Sequence, residues 1–478
     1  MERKEEIRAL RIKKAAYPAQ AVPHIPIGEL RKRFVALTKA KKNITAVGRI
    51  VALRGHGGAV FMDIADASGK LQVLFRKDIL GEKPFLEARD LLEAGDFISA
   101  QGPLFKTAQG EETLEAKKAF LLAKALLPPP THFYGLKDTE ERFRYRALDL
   151  LVNEEVRERF FQRSRIVDAL RSEFLAAGFL EVETPVLQPI PGGASARPFT
   201  THLNALDFEL YLRVAPELYL KRLLVGGLER VFELGRAFRN EGMDATHNPE
   251  FTMLEAYWAY QDAEELLKFV ETIFTNLVKE ITGNTIVFRG KNIALKKPFS
   301  KISFAQALKK FASLDIMKAN DSAVEKAAEI AGADMKAHPT RAEQLDAIFK
   351  KRCLEHFQNP TFVVEHPLEL SPLAKAKDGK PAIADRFQLI VGGMEVVNAF
   401  SELNDPVEQR KRFEAQEKAR KQGSEEAQRM DEEYLETMEY GMPPAAGLGI
   451  GVDRLVMLLT DAPSLREVIL FPTMRPRS

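Results

Sequence analysis

The chain is expected to fold as an α+β protein in two parts, a small β-barrel followed by a larger mixed domain. Three observations carry that expectation. Between residues 44 and 127, short runs with apolar residues at every second position alternate with glycine and Asp/Ser turns. After Asn153 the spacing becomes helical, through Val156, Phe160, Val167, Leu170 and Phe174. Near the end, Gly447-Leu-Gly-Ile-Gly-Val-Asp-Arg454, followed by Leu-Val-Met-Leu-Leu, reads as a glycine-rich strand running into a helix.

Residues 1–43 are rich in Lys, Arg and Glu, with Ile7, Leu10, Ile12, Leu30, Phe34 and Leu37 at helical intervals, and form an expected helical extension with a solvated face. Strands are expected over Thr45–Leu53, Ala59–Ile64, Leu71–Phe75 and Asp96–Gln101, with a helix at Pro84–Glu93. Five short strands and one helix describe an OB-fold barrel, assigned to 44–130, whose open face commonly receives single-stranded nucleic acid. Pro128-Pro-Pro130 makes a stiff linker to the domain assigned to 131–478. There Asn153 is placed to cap a long helix and Gly178 to end it. Residues 265–370 read as a helical and mixed segment, and 406–435 as a charge-dense helical stretch whose charges are solvated.

Composition narrows the function classes. At 478 residues, 45% hydrophobic and 29% charged, the chain has ample core for two or three domains. A net charge of only +2 confines any nucleic-acid contact to local basic patches. The single cysteine, Cys353, excludes an internal disulfide and a thiolate-cluster zinc site. No apolar run reaches membrane-spanning length and the first residues lack a signal core, so a cytoplasmic protein is expected.

The segment from Gly235 to Glu255 sets arginines, a histidine, acids and an aromatic around Gly242 and the turn-prone Asn248-Pro249. That toolkit suits an anionic nucleotide: a guanidinium grips phosphate oxygens in a fork, and an aromatic face stacks on a base. Two amphipathic strands with a salt-bridged loop would look the same from this segment alone. With the glycine-rich segment at 447–454 it resembles motifs 2 and 3 of the class II aminoacyl-tRNA synthetases. Ile190-Pro-Gly-Gly-Ala-Ser-Ala-Arg-Pro-Phe199, Ala215-Pro-Glu-Leu-Tyr-Leu-Lys221 and Asn398-Ala-Phe-Ser-Glu-Leu-Asn-Asp405 are similar to the lysine-specific members. The resemblance runs from about residue 45 onward.

The resemblance implies a catalytic domain built on an antiparallel sheet flanked by helices, with ATP, L-lysine and tRNA(Lys) as substrates. It places Arg239 on the α-phosphate and Arg454 on the γ-phosphate, with Phe251 under adenine and Glu241 and His247 near adenine and the terminal phosphates. Glu255 and Glu402 match acids on the substrate's side-chain ammonium, beside Tyr257. Glu217 and the backbone at Gly193 match the α-amino site, Asn398 and Phe400 the carboxylate site and pocket wall. Magnesium is implied and zinc is not. Glu395 matches a metal position, Gln388 stands where the family often has glutamate, and Glu402 is a third candidate. An amide oxygen brings no charge, so fewer metal contacts are expected. Val397 replaces a smaller family residue and is expected to crowd the pocket slightly. In the barrel, Arg54, Phe61, Gln72 and Glu111 match anticodon-reading positions, although Phe61 alone could equally be barrel core. Glu181-Val-Glu-Thr-Pro185 matches motif 1, which implies a homodimer; a buried helix–strand pair within one subunit would read alike. A relative that lysylates a protein, or an inactive RNA-binding protein, stays open from sequence; the retained barrel argues against the first and Arg239, Arg454 and Glu395 against the second.

Overall fold

The computed structural model describes residues 17–127, 129, 136–421 and 427–477. Ile7, Leu10 and Ile12 of the expected extension, and Pro128 and Pro130 of the linker, lie outside the described residues. The chain divides into two compact units, Met1–Gly135 and Leu136–Ser478.

The first unit is a seven-stranded sheet of β1 (Ile44–His56), β2 (Ala59–Asp66), β3 (Gly69–Arg76), β4 (Phe97–Gly102), β5 (Leu104–Lys106), β6 (Glu112–Glu115) and β7 (Lys118–Ala123), in the order β5-β6-β3-β2-β1-β4-β7. Alternation explains its core: Val60, Met62 and Ile64 of β2 are buried, whereas Ala59, Phe61 and Asp63 face outward. Seven segments appear where five were expected. Pro103, which cannot donate to a ladder, separates β4 from β5, and the polar β6 carries too little alternation to be read from sequence. The helix at Pro84–Glu93 is found at Glu82–Leu91. The 17–43 stretch is not a solvated extension: short helices Ile27–Lys32 and Phe34–Ala40 bury Ile27, Leu30 and Phe34 against the barrel core.

The second unit is organised by an eight-stranded sheet. Its strands are β8 (Leu180–Glu181), β9 (Arg230–Phe238), β10 (Glu250–Ala259), β11 (Ser300–Ser303), β12 (Thr361–Val364), β13 (Arg386–Val391), β14 (Met394–Ser401) and β15 (Ala445–Gly451), ordered β11-β12-β13-β14-β15-β10-β9-β8. The six central strands are antiparallel as expected, while β8 and β11 join the edges in parallel. One sheet face packs on α3 (Ala263–Thr282) and α7 (Val452–Leu459), burying Leu254, Ala256, Val397, Leu448 and Ile450. Val397 therefore points into this core and does not crowd the opposite face, contrary to the expectation from sequence. Helix α1 (Glu154–Ala176) ends before Gly178, whose φ is +81°. Asn153 precedes it without capping it, because its amide donates to Asp149. Cys353 is a buried free thiol, pushed up to about 12 by burial.

Candidate active site

Strand register builds the site. On the face opposite the core, one cross-strand row runs Gln388, Asn398, Gly449, Glu255 and the next Arg386, Phe400, Gly447, Tyr257. The period-two glycines of Gly447-Leu-Gly-Ile-Gly451 are thus explained: Leu448 and Ile450 fill the core, and the glycines leave the opposite face bare. A cavity of about 820 Å³ lies on that bare face. It is lined by every residue assigned above to ATP or lysine except Glu402, including Arg239, Phe251, Glu255, Tyr257, Asn398 and Arg454.

Asp453 locks the elements together. Its carboxylate accepts from the Thr252 amide at 2.7 Å and pairs with Arg163 of α1 at 2.6 Å, so the start of α7 is tied to both β10 and α1. The next residue, Arg454, then reaches over the cavity, donating to Glu395 O at 3.2 Å and meeting His247 Nε2 at 3.1 Å. His247 Nδ1 lies 2.9 Å from Asp244, which orients the ring so that Nε2 accepts. Arg239 lies with its guanidinium 5.0 Å from the Phe251 ring centroid. Its Nε is buried without a partner, and burial pulls its pKa down, although Glu241 and Glu255 favour the charge. A desolvated cation over an aromatic face, with no carboxylate bonded to it, is arranged for an anion that arrives from outside.

At the other end is a cluster that sequence reasoning read only in part. Lys221, one turn along α2 (Glu217–Val225) from Glu217, is fully buried; its ammonium donates to Glu217 at 2.6 Å and pairs with Glu402. Its charge is held in place by Glu217 and Glu402 despite burial. One ammonium cannot neutralise three buried carboxylates. Burial, and after it the charge of Glu217, push the Glu255 carboxyl up to about 8 against the pull of Arg239. Burial likewise raises Glu217 and Glu402, opposed by Lys221. Glu402 Oε1 has no hydrogen-bond partner and lies directly beneath Gly447, where a Cβ would come within 2.2 Å of it. The cluster is short of positive charge, which a ligand with ammonium groups supplies. Gly193, at φ +89°, packs against the same cluster, since a Cβ there would meet Glu217 Cβ at 2.7 Å.

A pH effect follows. Below pH 8 a cationic ligand must expel the proton held on Glu255. Its apparent affinity is expected to rise about tenfold per pH unit on approaching pH 8 and then level off. Calorimetry in buffers of different ionisation enthalpy measures the released proton directly; affinity that is flat between pH 6.5 and 8 would contradict the ionisation assigned to Glu255.

Of the three candidate metal positions, only Glu395 offers an uncommitted carboxylate oxygen on the cavity lining. Gln388 accepts from His366 Nε2 at 3.0 Å and donates to Glu395 Oε2 at 2.7 Å. The His366 ring, pushed down to about 3 chiefly by burial, is neutral and keeps Gln388 in that orientation. Glu402 is committed to Lys221 and buried beneath the floor. Among the described residues no group of three His, Cys, Asp or Glu side chains is gathered for a metal.

The charge-dense stretch departs from the solvated reading. Its residues 422–426 lie outside the described residues, but Glu408, Arg412 and Gln416 of α5 (Pro406–Lys421) line the cavity, and Arg412 Nη1 donates to Ala374 O at 2.5 Å. Arg341, Asp346 and Lys350 of α4 (Arg341–Arg352), in the segment read only as mixed, line it as well. Neither helix carries a motif that sequence could flag.

In the barrel, Arg54 pairs across the ladder with Phe61, and Gln72 sits opposite Asp63. Thr113 Oγ1 donates to Gln72 Oε1 at 2.9 Å and also to the Glu111 carbonyl at 3.2 Å. Arg54, Phe61 and Gln72 therefore share one outer face, with Phe61 half-buried there outside the core cluster, while Glu111 lies exposed in the loop just before β6 and is tied in only through its backbone carbonyl.

Comparison with known proteins follows the same division. Residues 138–475 match the family model of class II tRNA synthetases (D, K and N), and residues 44–122 that of the OB-fold nucleic acid binding domain. The chain is 48% identical over 440 residues to a lysine–tRNA ligase of Syntrophomonas wolfei subsp. wolfei, covering 91% of this chain and 89% of that one. It is 46% identical to a lysine–tRNA ligase of Moorella thermoacetica, covering 94% and 91% of the two chains. A lysine–tRNA ligase of Magnetococcus marinus is 43% identical over 96% of this chain and 93% of its own length. Among the described residues no helix is long and apolar enough to cross a membrane.

Proposed function

Since the chain belongs to the class II tRNA synthetases, among relatives that are lysine–tRNA ligases, we propose that it activates L-lysine with ATP and transfers it to the 3′ end of tRNA(Lys). The observation that carries the lysine assignment is the buried cluster of Glu217, Glu255 and Glu402, to which, among the described residues, only Lys221 is ion-paired. Counting Lys221, these side chains bear a net charge of minus two when ionised, which matches the two ammonium groups of lysine. Tyr257 and Phe400 wall the aliphatic stem, Glu217 takes the α-amino group, and Glu255 takes the side-chain ammonium, with the charge of Glu402 acting on it from beneath the floor. An aspartate-specific pocket would need cations at these places.

Activation requires no protein nucleophile. A carboxylate oxygen of lysine attacks the α-phosphorus, an O–P bond forms, and the bond to pyrophosphate breaks. Arg239 draws charge from the α-phosphoryl oxygens as they become more negative, and Arg454, oriented by Glu395 O and His247, holds the far phosphates. Phe251 stacks on adenine on the side away from Arg454, with Glu241 at the rim. In the second step the terminal ribose hydroxyl attacks the lysyl carbonyl, AMP departs, and the hydroxyl proton passes to the departing phosphate.

Magnesium fits this site through Glu395 together with the phosphates, where it would screen their negative charge. Gln388 would add only a neutral oxygen, one lone pair of which already accepts from His366. We therefore assign fewer protein–metal contacts than a two-carboxylate site would make.

Arg54, Phe61 and Gln72 present one outer barrel face to the anticodon, with Phe61 stacking on a base and Glu111 joining from the loop just before β6. Phe61→Ala is expected to weaken tRNA charging through the loss of about 1–3 kcal/mol of stacking while adenylate formation is unchanged. Charging kinetics on tRNA(Lys) transcripts measure this, and an unaltered kcat/KM for tRNA would return Phe61 to a structural role. Around motif 1, Leu175, Leu180, Val186 and Leu187 are exposed in the single chain; we assign them to a homodimer interface, which sedimentation tests. The activity is assigned to the cytoplasm, where tRNA charging supplies translation.

A further inference from the structure

Arg386 was not singled out by sequence, yet it lines the cavity beside Asn398. It stands on β13 opposite Phe400, with its side chain on the same sheet face as Gln388 and Asn398. Its Nε donates to Asn398 Oδ1 at 2.8 Å, and its Nη1 donates to Ser371 Oγ at 2.9 Å and Leu370 O at 3.1 Å. All three acceptors are neutral. The acids whose charge reaches Arg386, namely Glu395, Asp346 and Glu217, act through space and none is bonded to it.

An amide side chain has an accepting end and a donating end, and the group on one end decides what the other presents. A guanidinium has only donors, so it can hold Asn398 in a single orientation. With Oδ1 turned to Arg386, the end of Asn398 left for the cavity is Nδ2, which carries two N–H groups. Were Arg386 absent, the amide could rotate and bring its oxygen against an approaching carboxylate.

We propose that Arg386 is a positioning residue for the substrate carboxylate: its Nε–H fixes the Asn398 amide with its donors facing the ligand. This rests on the reading of Asn398 as the carboxylate-binding residue. The selectivity it creates is for an α-carboxylate as such, separate from the ammonium recognition of the glutamate cluster. A diamine with the same stem should be indifferent to it.

The test compares L-lysine with cadaverine (1,5-diaminopentane), which keeps both amines and lacks the carboxylate. Binding of each to the full-length protein is measured by calorimetry. Arg386→Met is expected to weaken lysine on the order of 10- to 100-fold, the range for a hydrogen bond to a charged group, and to leave cadaverine unchanged. Arg386→Lys, whose ammonium lacks the fork that reaches Asn398 and Ser371 together, should show the same selective loss and serves if Arg386→Met does not fold. Parallel weakening of both ligands would overturn the proposal, because a role in pocket shape alone moves both. Asn398→Asp separates the two readings, since its carboxylate would repel lysine's and not the diamine. If Asn398→Asp loses lysine selectively and the Arg386 variants do not, only the Arg386 assignment falls. If Asn398→Asp also leaves the lysine-to-cadaverine ratio intact, the reading of Asn398 falls with it.

Discussion

Arg239→Gln is expected to lower kcat for lysine-dependent ATP–pyrophosphate exchange by roughly 100- to 1000-fold, the usual loss when one preorganised electrostatic donor is removed from a reacting centre. The reason lies in its surroundings. Arg239 is half-buried against Phe251, its buried Nε has no partner, and no carboxylate is bonded to it. Its charge is therefore held ready for the α-phosphoryl oxygens and not used in structure. Removing a charge with no bonded partner should cost little stability, so the variant's melting temperature is expected to stay close to wild type. The loss should fall on kcat more than on the KM for lysine. A variant that melts much earlier, or one whose only defect is lysine KM, would show that Arg239 supports the fold or the amino-acid pocket instead.

Gly447→Ala should be nearly as damaging and for a different ligand. A Cβ at 447 would lie 2.2 Å from Glu402 Oε1 and 2.4 Å from a Tyr257 ring carbon. Neither neighbour can yield easily. Glu402 is tied to Lys221 in a fully buried pair, and Tyr257 is 3% exposed. The added methyl would displace the carboxylate and ring that we assign to the substrate ammonium, and lysine affinity is expected to fall by at least the 1–3 kcal/mol of an overpacked site. ATP affinity should be retained, because Arg239, Phe251 and Arg454 lie on other strands or past the end of β15. Gly449→Ala is the control: the nearest atoms to a Cβ there are at 3.8 Å, ordinary contact distance. Loss of ATP affinity alongside lysine affinity in Gly447→Ala would mean that the glycine serves the strand and not the lysine pocket.

Much of this site was legible in sequence because its chemistry is concentrated in three short motifs whose periodicity also fixes their direction. Alternation in Phe251-Thr-Met-Leu-Glu-Ala-Tyr257 and in Gly447–Gly451 puts acids, aromatic rings and bare backbone on one face and apolar residues on the other. Lys221 escaped notice as a functional residue because a lysine in Ala215-Pro-Glu-Leu-Tyr-Leu-Lys221 reads as a surface charge; only the fold turns it inward between two glutamates. Arg386 and the cavity faces of α4 and α5 were missed for a related reason. Their roles depend on which strand or helix lies alongside, and pairing between segments distant in sequence leaves no local pattern. Gln388 was noticed as a departure, but its engagement with His366 and Glu395 needed the register of β12, β13 and β14.

The most direct test is ATP–pyrophosphate exchange with each of the twenty amino acids, with magnesium and without tRNA. Exchange with lysine alone is the expected result, because among the twenty only lysine brings two ammonium groups to a cluster in which three buried carboxylates face one ammonium. Exchange supported instead by an acidic or neutral amino acid would contradict the assignment of the glutamate cluster.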